Sequence, residues 1–290
     1  MSTTNISEQL VALHTISSLS LDPGFPLFRH YSALKLGVRE SVRFYASFLI
    51  PLAAKIIASQ PETKRWVVTS PPLYVVPSAA NLLAWEMARA LAEQVPPQVS
   101  VRAVDLRYSF PDPQNAGEVR REGEYSSSPV EARIRNRQRL HEGKWAPRPD
   151  PADFRDRAVL FINDINVTGT QQRFVRQTLE TVHPASIDWL YIIQVEPELG
   201  HSHPEIERAL NRLNLETFED FAEVFSREDI DDTARGILRL FECSFDQFGV
   251  LVRSLDESRR SRLYRMIVEE GSYSGDEHKT KLALLAGTFA

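Results

Sequence analysis

The stretch from Ala158 to Gln172, AVLFINDINVTGTQQ, constrains the fold more than any other part of the chain. It begins with five apolar residues and then changes abruptly to polar residues, two threonines and a glycine. An unbroken apolar run of this length is typical of a strand that is buried on both faces, as in a parallel sheet covered by helices. In such sheets ligands bind beyond the carboxyl ends of the strands, so the polar residues lie where a ligand is expected.

Further strands and helices alternate along the chain and predict the same kind of sheet. Strands are predicted over Trp66–Thr69, over Val99–Leu106 and over the run DWLYIIQV that ends at Val195. Helices are predicted over 40–58, from Ser78 to the pair Pro96-Pro97, and over Arg173–Val182. Pro51 should kink or split the first of these helices. The predicted fold class is therefore α/β, with a mainly parallel sheet flanked by helices.

The pattern changes at three places and suggests three segments. Residues 1–30 are weakly patterned and are interpreted as an N-terminal arm or partial cover, and residues 31–204 as the α/β domain. Residues 205–290 show only helical patterns, including the capping box Ser244-x-x-Gln247, and are predicted to form a helical C-terminal subdomain. Within the α/β domain, residues 107–150 lack apolar periodicity, which indicates a mobile functional loop or a surface excursion.

Composition and charge narrow the classes of partner. The chain has 290 residues and a net charge of −5, so neither nucleic acid nor an anionic membrane is favoured as a partner. Its single cysteine, Cys243, excludes an intrachain disulfide and fits a reducing compartment. No signal peptide is recognised, and no apolar run approaches the roughly 18 residues of a membrane span. We therefore expect a soluble, cytoplasmic protein.

The polar end of the opening stretch has the chemistry of a sugar-phosphate site. A tight Thr168-Gly169-Thr170 turn before a helix offers backbone N–H groups and a helix N-terminus to an anion. Asp164 lies upstream, where it can accept hydrogen bonds from sugar hydroxyls. An ordinary strand-to-helix turn, with Asp164 as a cap and Gly169 making the bend, is less favoured because the apolar run, the acid and the turn coincide in register. Neither a G-x-G-x-x-G nor a G-x-x-x-x-G-K-[ST] motif occurs.

The segment VLFINDINVTGTQ resembles the motif of type I phosphoribosyltransferases that binds 5-phosphoribosyl 1-pyrophosphate (PRPP). In that family an acidic pair holds the ribose hydroxyls and the following turn holds the 5′-phosphate. The resemblance implies that Asp164 and Asn163 are catalytic residues that contact the ribose. It also implies that the phosphate-binding residues are Val167, Thr168, Gly169, Thr170 and Gln171. Two residues depart from the family pattern: Asn163 replaces the first acid, and Gln171 stands where Thr or Ser is usual.

Three further segments are similar to the phosphoribosyltransferase-like proteins of bacterial tellurium-resistance stress systems: SALKLGVRESVRFYASFLIPLA, VVTSPPLYVVPSAANLLA and HPEIERALNRLNLETFEDFAEVF. This similarity implies a pyrophosphate loop formed by Ser70, Pro71, Pro72, Leu73 and Tyr74. It also implies a flexible basic loop within 107–150 that carries Arg120, Arg121, Arg133, Arg135 and Arg137, although a solvated basic surface explains these arginines equally well.

The resemblance predicts a PRPP-dependent phosphoribosyltransferase that joins ribose 5-phosphate to an unidentified nitrogenous base and releases pyrophosphate. It also implies a homodimer, and Mg²⁺ that is held mainly by the substrate, with Asp164 as the one candidate protein ligand. Two other functions remain open. The chain could be a nucleotide sensor or regulator of the same fold without catalysis, which Asn163 favours, or a scaffold in a stress complex.

Five other residues are candidates for a functional role. Lys35 and Arg43 could reach a phosphate, but surface positions explain them equally well. His201 and His203 have no acid or cysteine at metal-ligand spacing, so a surface turn is predicted there. Cys243 lies in an apolar helical pattern and is predicted to belong to the core.

Overall fold

The computed structural model describes residues 6–108, 147–271, 273 and 275–287. Within these residues, five parallel strands form one sheet in the order β1-β5-β4-β2-β3. The strands are β1 (Ser7–Ile16), β2 (Arg65–Thr69), β3 (Ser100–Ala103), β4 (Ala158–Asn166) and β5 (Ser186–Val195). The predicted parallel α/β fold is thereby confirmed.

Helices cover both faces of the sheet and form the C-terminal part of the chain. Before β3 they are α1 (Pro26–Arg29), α2 (Tyr31–Leu36), α3 (Arg39–Ser59) and α4 (Ala79–Gln94). Near β4 and β5 they are α5 (Pro151–Phe154), α6 (Thr170–Glu180) and α7 (Pro197–Ser202). The C-terminal helices are α8 (Ile206–Arg212), α9 (Phe218–Phe225), α10 (Ala234–Glu242), α11 (Phe245–Ser254), α12 (Glu257–Glu270) and α13 (Asp276–Leu285).

Burial on both faces explains the unbroken apolar run of β4. Leu160 and Ile162 pack into the core that includes α3 and α4, whereas Val159 and Phe161 pack into the core that includes α6. All nine residues of β4 are buried. A strand whose side chains all leave water shows no alternation of polar and apolar residues, so the sequence pattern and the central position of β4 have the same cause.

The order of the strands creates a crevice between β2 and β4. From β2 the chain passes through α4 to β3 at one edge, and from β4 it passes through α6 to β5 in the opposite direction. Such a reversal is a topological switch point, where ligands of open α/β sheets bind. The segments that follow β2 and β4 therefore flank the expected site.

Two predictions need correction, and for Pro51 one of the two predicted outcomes is excluded. Residues 7–16, interpreted as part of an arm, form strand β1, which pairs with β5 at one edge of the sheet. The strand predicted over Val99–Leu106 is shorter, since β3 ends at Ala103. Pro51 does not split its helix, because α3 continues through it from Arg39 to Ser59.

Helix α3 also qualifies the expectation about membrane spans. By length and composition it is the one helix among the described residues that could cross a membrane. Its apolar side chains, including Tyr45, Leu49 and Ala53, belong instead to the core beneath α4 and the sheet. Burial therefore explains the apolar residues on one face of α3, whereas Phe48 of the same helix is exposed.

The C-terminal helices build a second core. Side chains from Leu215 to Leu285 cluster with Leu36, Val38 and Val76. Helix α8, although it follows the predicted boundary at residue 204, places Ile206 and Leu210 in the core of the sheet. Helices α2 and α8 thus lie where the two cores meet.

Candidate functional site

A cavity of about 160 Å³ lies at the switch point between β2 and β4. The end of β4 and the turn after it contribute a continuous wall, residues 163–171. Pro71 and Ser78, which follow β2, line it from the other strand, and Lys35 of α2 and Glu207 of α8 complete it. All seven predicted catalytic and phosphate-binding residues of the opening stretch therefore face one cavity.

The strand extends further than the apolar run indicated. Asn163 and Asp164 were expected to lie beyond the end of the strand, but β4 continues to Asn166 and both side chains are buried. The Asn163 amide donates to the carbonyl of Ile165 at 3.1 Å and to Oε1 of Gln171 at 2.9 Å, and its oxygen accepts from the Asp164 N–H at 2.9 Å. The two residues that depart from the family pattern are thus bonded to each other.

Asp164 is held by two side chains of α2. The Tyr31 hydroxyl donates to Oδ2 of Asp164 at 2.9 Å, and the Lys35 ammonium forms a salt bridge with the same oxygen. Burial alone would raise the pKa of Asp164, but the charge and hydrogen bond of Lys35 and the hydroxyl of Tyr31 lower it, so the group is an anion at neutral pH. Burial and the Asp164 charge raise the pKa of Tyr31, which keeps its hydroxyl a donor.

Of the two carboxylate oxygens of Asp164, Oδ1 is freer than Oδ2 to accept a hydrogen bond from a ligand. No other described residue donates a hydrogen bond to Oδ1 of Asp164, whereas Oδ2 is shared by Tyr31 and Lys35. A carboxylate fixed through one oxygen keeps the other as an acceptor for a donor such as a hydroxyl. The salt bridge with Asp164 also holds the Lys35 ammonium on the wall of the cavity, where it can bind an anion.

The turn after β4 is organised by its own side chains. Oδ1 of Asn166 accepts from the Gly169 N–H at 2.9 Å, and the hydroxyls of Thr168 and Thr170 lie 2.8 Å apart. Gly169 has φ 69°, and a Cβ built there meets no atom within 4 Å. The glycine therefore permits the left-handed bend and leaves open space above the backbone, as close approach of a ligand requires.

The Gly169 N–H cannot serve an anion as freely as the sequence suggested, because Asn166 already accepts from it. Among the described residues the N–H groups of Thr168, Gln171 and Gln172 have no hydrogen-bond acceptor. Gln171 and Gln172 belong to the first turn of α6, where such groups carry the positive end of the helix dipole. An oxyanion in the cavity would complete their hydrogen bonding.

Helix α7 fixes the turn from outside. Gly200 is buried so closely against the turn that a Cβ there would lie 2.0 Å from the carbonyl oxygen of Val167. We expect Gly200→Ala to displace the turn and to lower the free energy of unfolding by about 1–3 kcal/mol, the usual cost of overpacking. Urea unfolding measures this effect. In the control Gly249→Ala of α11, the new methyl first meets the flexible guanidinium of Arg253 at 3.2 Å. An equal loss of unfolding free energy in both variants would show that the close contact of Gly200 with the turn is not the cause.

The predicted pyrophosphate loop follows β2 at the edge of the sheet where the cavity lies, but most of its residues do not line the cavity. Only Pro71 of its five residues lines the cavity. Ser70 is buried and accepts from the Asn81 amide, and the backbone of Leu73 is hydrogen-bonded to Leu106 and Tyr108. Pro71 and Pro72 carry no N–H. The geometry therefore gives little support to anion binding by this loop, and the role assigned to Ser70–Tyr74 stays a prediction.

Sequence reasoning missed several residues of the site. Tyr31 lies four residues before Lys35 on α2, a spacing that places both on one helix face, but no local pattern showed that this face meets Asp164. Glu207 also lines the cavity, although its sequence pattern predicts only a helix. Asn81 ties Ser70 and Pro71 to Ser78, the residue that caps α4. Ser78-x-x-Asn81 resembles a capping box, so this contact was open to prediction.

The remaining candidates separate clearly. Lys35 lies in the site, whereas Arg43 is exposed on α3 and lines no part of the cavity. The predicted basic loop residues, Arg120, Arg121, Arg133, Arg135 and Arg137, lie outside the described residues.

The histidine candidates have partners close to them in sequence. His201 is hydrogen-bonded to the carbonyl of Pro197, and His203 pairs with Glu205. Over the described ranges, no group of three His, Cys, Asp or Glu side chains could hold a metal ion. Cys243 is half-buried against the helical core.

Comparison with known proteins agrees with this geometry. A family model described as PRTase ComF-like, where PRTase denotes phosphoribosyltransferase, matches residues 7–285. No curated protein matches the sequence.

Proposed function

Because the chain belongs to the PRTase ComF-like family, we propose that it binds PRPP in the cavity at the switch point and transfers the ribose 5-phosphate group to a nitrogenous base. The observation that carries the proposal is the single cavity in which a fixed carboxylate, Asp164, faces an open glycine turn with unsatisfied N–H groups. A ribose 5-phosphate needs both at once, an acceptor for its hydroxyls and donors for its phosphate.

Each group has a distinct part in the proposed reaction. The 5′-phosphate accepts hydrogen bonds from the turn at residues 167–171, and Oδ1 of Asp164 accepts from a ribose hydroxyl. A base nitrogen attacks C1 of the ribose, the bond from C1 to the pyrophosphate oxygen breaks, and pyrophosphate leaves with the electron pair. Since the transition state has oxocarbenium character, positioning and electrostatics supply most of the catalysis. Lys35, on the cavity wall, neutralises part of the charge of the departing pyrophosphate.

The described residues do not form a protein cage for Mg²⁺. Asp164 is already paired with Lys35, and the Asn163 oxygen accepts the Asp164 N–H. A magnesium site usually needs one or two carboxylates that are free to coordinate, together with substrate phosphates. We therefore propose that Mg²⁺ is bound mainly by the phosphate oxygens of PRPP.

Pyrophosphate release tests the proposal. We expect the protein, incubated with PRPP and a panel of nitrogenous bases, to release pyrophosphate with at least one base. Asp164→Asn keeps the shape of the side chain but removes the charge, so it should lower PRPP affinity by about 1–3 kcal/mol, the cost of a lost charged hydrogen bond. Asp246→Asn, an exposed acid on α11, serves as the control. Release that is unchanged in Asp164→Asn would place the reaction elsewhere.

A second candidate function, nucleotide sensing without turnover, is favoured by one observation. Asn163 stands where the family has its first acid, so only Asp164 supplies a carboxylate. The Asn163 amide donates to Ile165 and Gln171. Saturable binding of PRPP or a nucleoside 5′-monophosphate, together with no pyrophosphate release for any base, would select the sensor. The homodimer, the link to tellurium resistance and the cytoplasmic location stay predictions.

A further inference from the structure

The chain between α9 and α10 contacts the end of α2, the helix that carries Lys35. We call residues 229–234 of this connection the connecting segment. The N–H of Asp231 donates to the carbonyl of Gly37 at 2.9 Å. A Cβ built at Gly37 would lie 2.0 Å from the carbonyl oxygen of Asp231, so the two backbones are in direct contact. The connecting segment therefore packs against the turn in which α2 ends.

Thr233 joins the connecting segment to Lys35. Its side chain is completely buried, and its hydroxyl donates to the carbonyl oxygen of Lys35 at 2.8 Å. The last four carbonyls of a helix find no donor within it, and among the described residues Thr233 is the donor to that of Lys35. The same hydroxyl accepts from the Gly236 N–H at 3.1 Å and so caps α10. One hydroxyl thus fixes the start of α10 against the end of α2.

The next residue, Ala234, bonds to the opposite wall of the cavity. Its N–H donates to the carbonyl of Pro77 at 2.9 Å. Pro77 precedes Ser78, which caps α4 and lines the cavity. Two consecutive residues therefore contact both walls of the candidate site, the wall that carries Lys35 and the wall that follows β2.

Helix α12 fixes the connecting segment in turn. The Asp232 carboxylate is buried, and its two oxygens accept hydrogen bonds from Arg259 and Arg262 of α12 at 2.9–3.2 Å. Arg259 also donates to the carbonyl of Phe225, the last residue of α9. Paired contacts between a guanidinium and a carboxylate have a defined geometry. The C-terminal helices therefore hold the connecting segment in one position.

We propose that Thr233 is a positioning residue of the candidate site, whose hydroxyl holds the last turn of α2 so that Lys35 meets Asp164 and the cavity. Tyr31, the second partner of Asp164, lies on the same helix, so the position of α2 sets both contacts. Without the hydroxyl, the Lys35 carbonyl loses its donor, and the last turn of α2 becomes free to move toward another. The effect on PRPP binding rests on the proposed function, but the geometry of Lys35 is measurable without PRPP.

The reactivity of the Lys35 amine tests this geometry. Acetic anhydride acetylates free lysine amines, and peptide mass spectrometry gives the rate at each one. Thr233→Val keeps the branched shape but removes the hydroxyl, so acetylation of Lys35 should become about fivefold faster, the equivalent of one lost hydrogen bond. Thr233→Ser retains the hydroxyl and should keep the wild-type rate. Lys281, whose ammonium donates to the carbonyls of Phe241 and Cys243, is the internal reference and should not change.

Thr217→Val is the matched control for the loss of a helix cap. The Thr217 hydroxyl caps α9, but in the described part of the chain it makes no hydrogen bond to α2. Thr217→Val should therefore leave the Lys35 rate unchanged. Affinity for PRPP, measured by calorimetry, should fall about fivefold in Thr233→Val and stay unchanged in Thr217→Val. Thr233→Ala removes the same hydroxyl and replaces Thr233→Val if that variant does not fold.

The outcomes separate the role of Thr233 from the proposed function. An unchanged Lys35 rate in Thr233→Val, or a rate that Thr233→Ser does not restore, would overturn the proposal. So would an equal rise at Lys281 or in Thr217→Val, since either means general loosening of the fold, or PRPP affinity that Thr233→Val leaves intact. A wild type that does not bind PRPP refutes the proposed function, and the Lys35 rates then decide the role of Thr233 by themselves.

Discussion

Lys35→Met is expected to lower the free energy of unfolding by about 3–5 kcal/mol at neutral pH, the usual cost of removing one partner of a buried ion pair. The ammonium of Lys35 and the carboxylate of Asp164 form a salt bridge with side chains only 12% and 7% exposed. Methionine keeps most of the length and apolar contact of the lysine side chain but leaves Asp164 as a buried anion with Tyr31 as its remaining side-chain partner.

The loss should depend on pH in a defined direction. In the wild type the pKa of Asp164 is lowered, so this group stabilises the fold above its unfolded pKa near 3.9 and loses that contribution as pH falls further. In Lys35→Met the largest remaining influence on Asp164 is burial, which raises its pKa. A carboxyl group with a raised pKa binds more protons in the folded state than in the unfolded state. Lowering the pH therefore stabilises the fold of the variant relative to that of the wild type. The difference in stability should therefore shrink from pH 7 to pH 4.

Urea unfolding of both proteins at pH 7, 5.5 and 4 measures this difference. Lys55→Met is the matched control, because Lys55 is exposed on α3 and has no part in the cavity. A loss below 1 kcal/mol for Lys35→Met at pH 7, or a loss that grows as pH falls, would show that Lys35 does not balance the Asp164 charge.

The second large effect concerns the pair Asn163 and Gln171. Asn163→Asp should lower the free energy of unfolding by about 1–3 kcal/mol, because a buried aspartate would leave the Ile165 carbonyl without its donor. In the wild type the Asn163 amide donates to the Ile165 carbonyl and to Gln171. A carboxylate cannot donate, and it would repel Asp164, the next residue along the strand.

Gln171→Thr should restore part of this loss when it is combined with Asn163→Asp, because a threonine hydroxyl can donate to the new carboxylate. For two residues in contact we expect a coupling of about 0.5–3 kcal/mol in a double-mutant cycle. Urea unfolding of both single variants and of the double variant gives this value. Additive effects would show that the two departures from the family pattern are independent.

The same variants test the charge of the site. With two adjacent carboxylates, Asn163→Asp should bind PRPP more weakly in chelator and recover affinity in Mg²⁺, so its dependence on the ion should be steeper than that of the wild type. Asp164→Asn should weaken binding with or without the ion. Calorimetric titrations under both conditions make the comparison. If Asn163→Asp has the same magnesium dependence as the wild type, this account of the charge is wrong.

The sequence predicted the fold well where burial leaves a local pattern. The apolar run of β4 predicted a strand covered on both faces, and the structure buries all nine of its residues. Strand β1 escaped prediction because nine of its ten residues are exposed or only partly buried, so its apolar residues follow neither a buried run nor a regular alternation. Its position results from pairing with β5, which lies about 180 residues further along the chain.

The candidate site was predictable only where its residues are close in sequence. The register of Asp164 and the Thr168-Gly169-Thr170 turn placed both at one cavity. The partners of Asp164 come from α2, more than 120 residues away, and no local spacing indicates such a contact. The bond between Asn163 and Gln171 could have been foreseen, because the strand end and the first turn of the following helix bring these two positions together.

Titration of PRPP into the wild type and into the double variant Thr168→Val with Gly169→Val tests the central claim most directly. Both substitutions act on the turn, since Thr168 loses its hydroxyl and Gly169, at φ 69°, receives a side chain in the open space of the cavity. We expect saturable, calorimetrically measurable binding to the wild type and at least a tenfold loss of affinity, about 1.4 kcal/mol, in the variant. Thr181→Val, at the far end of α6, is the control and should bind as the wild type does. Equal affinity in the wild type and the turn variant, or no PRPP binding by the wild type, would contradict the account.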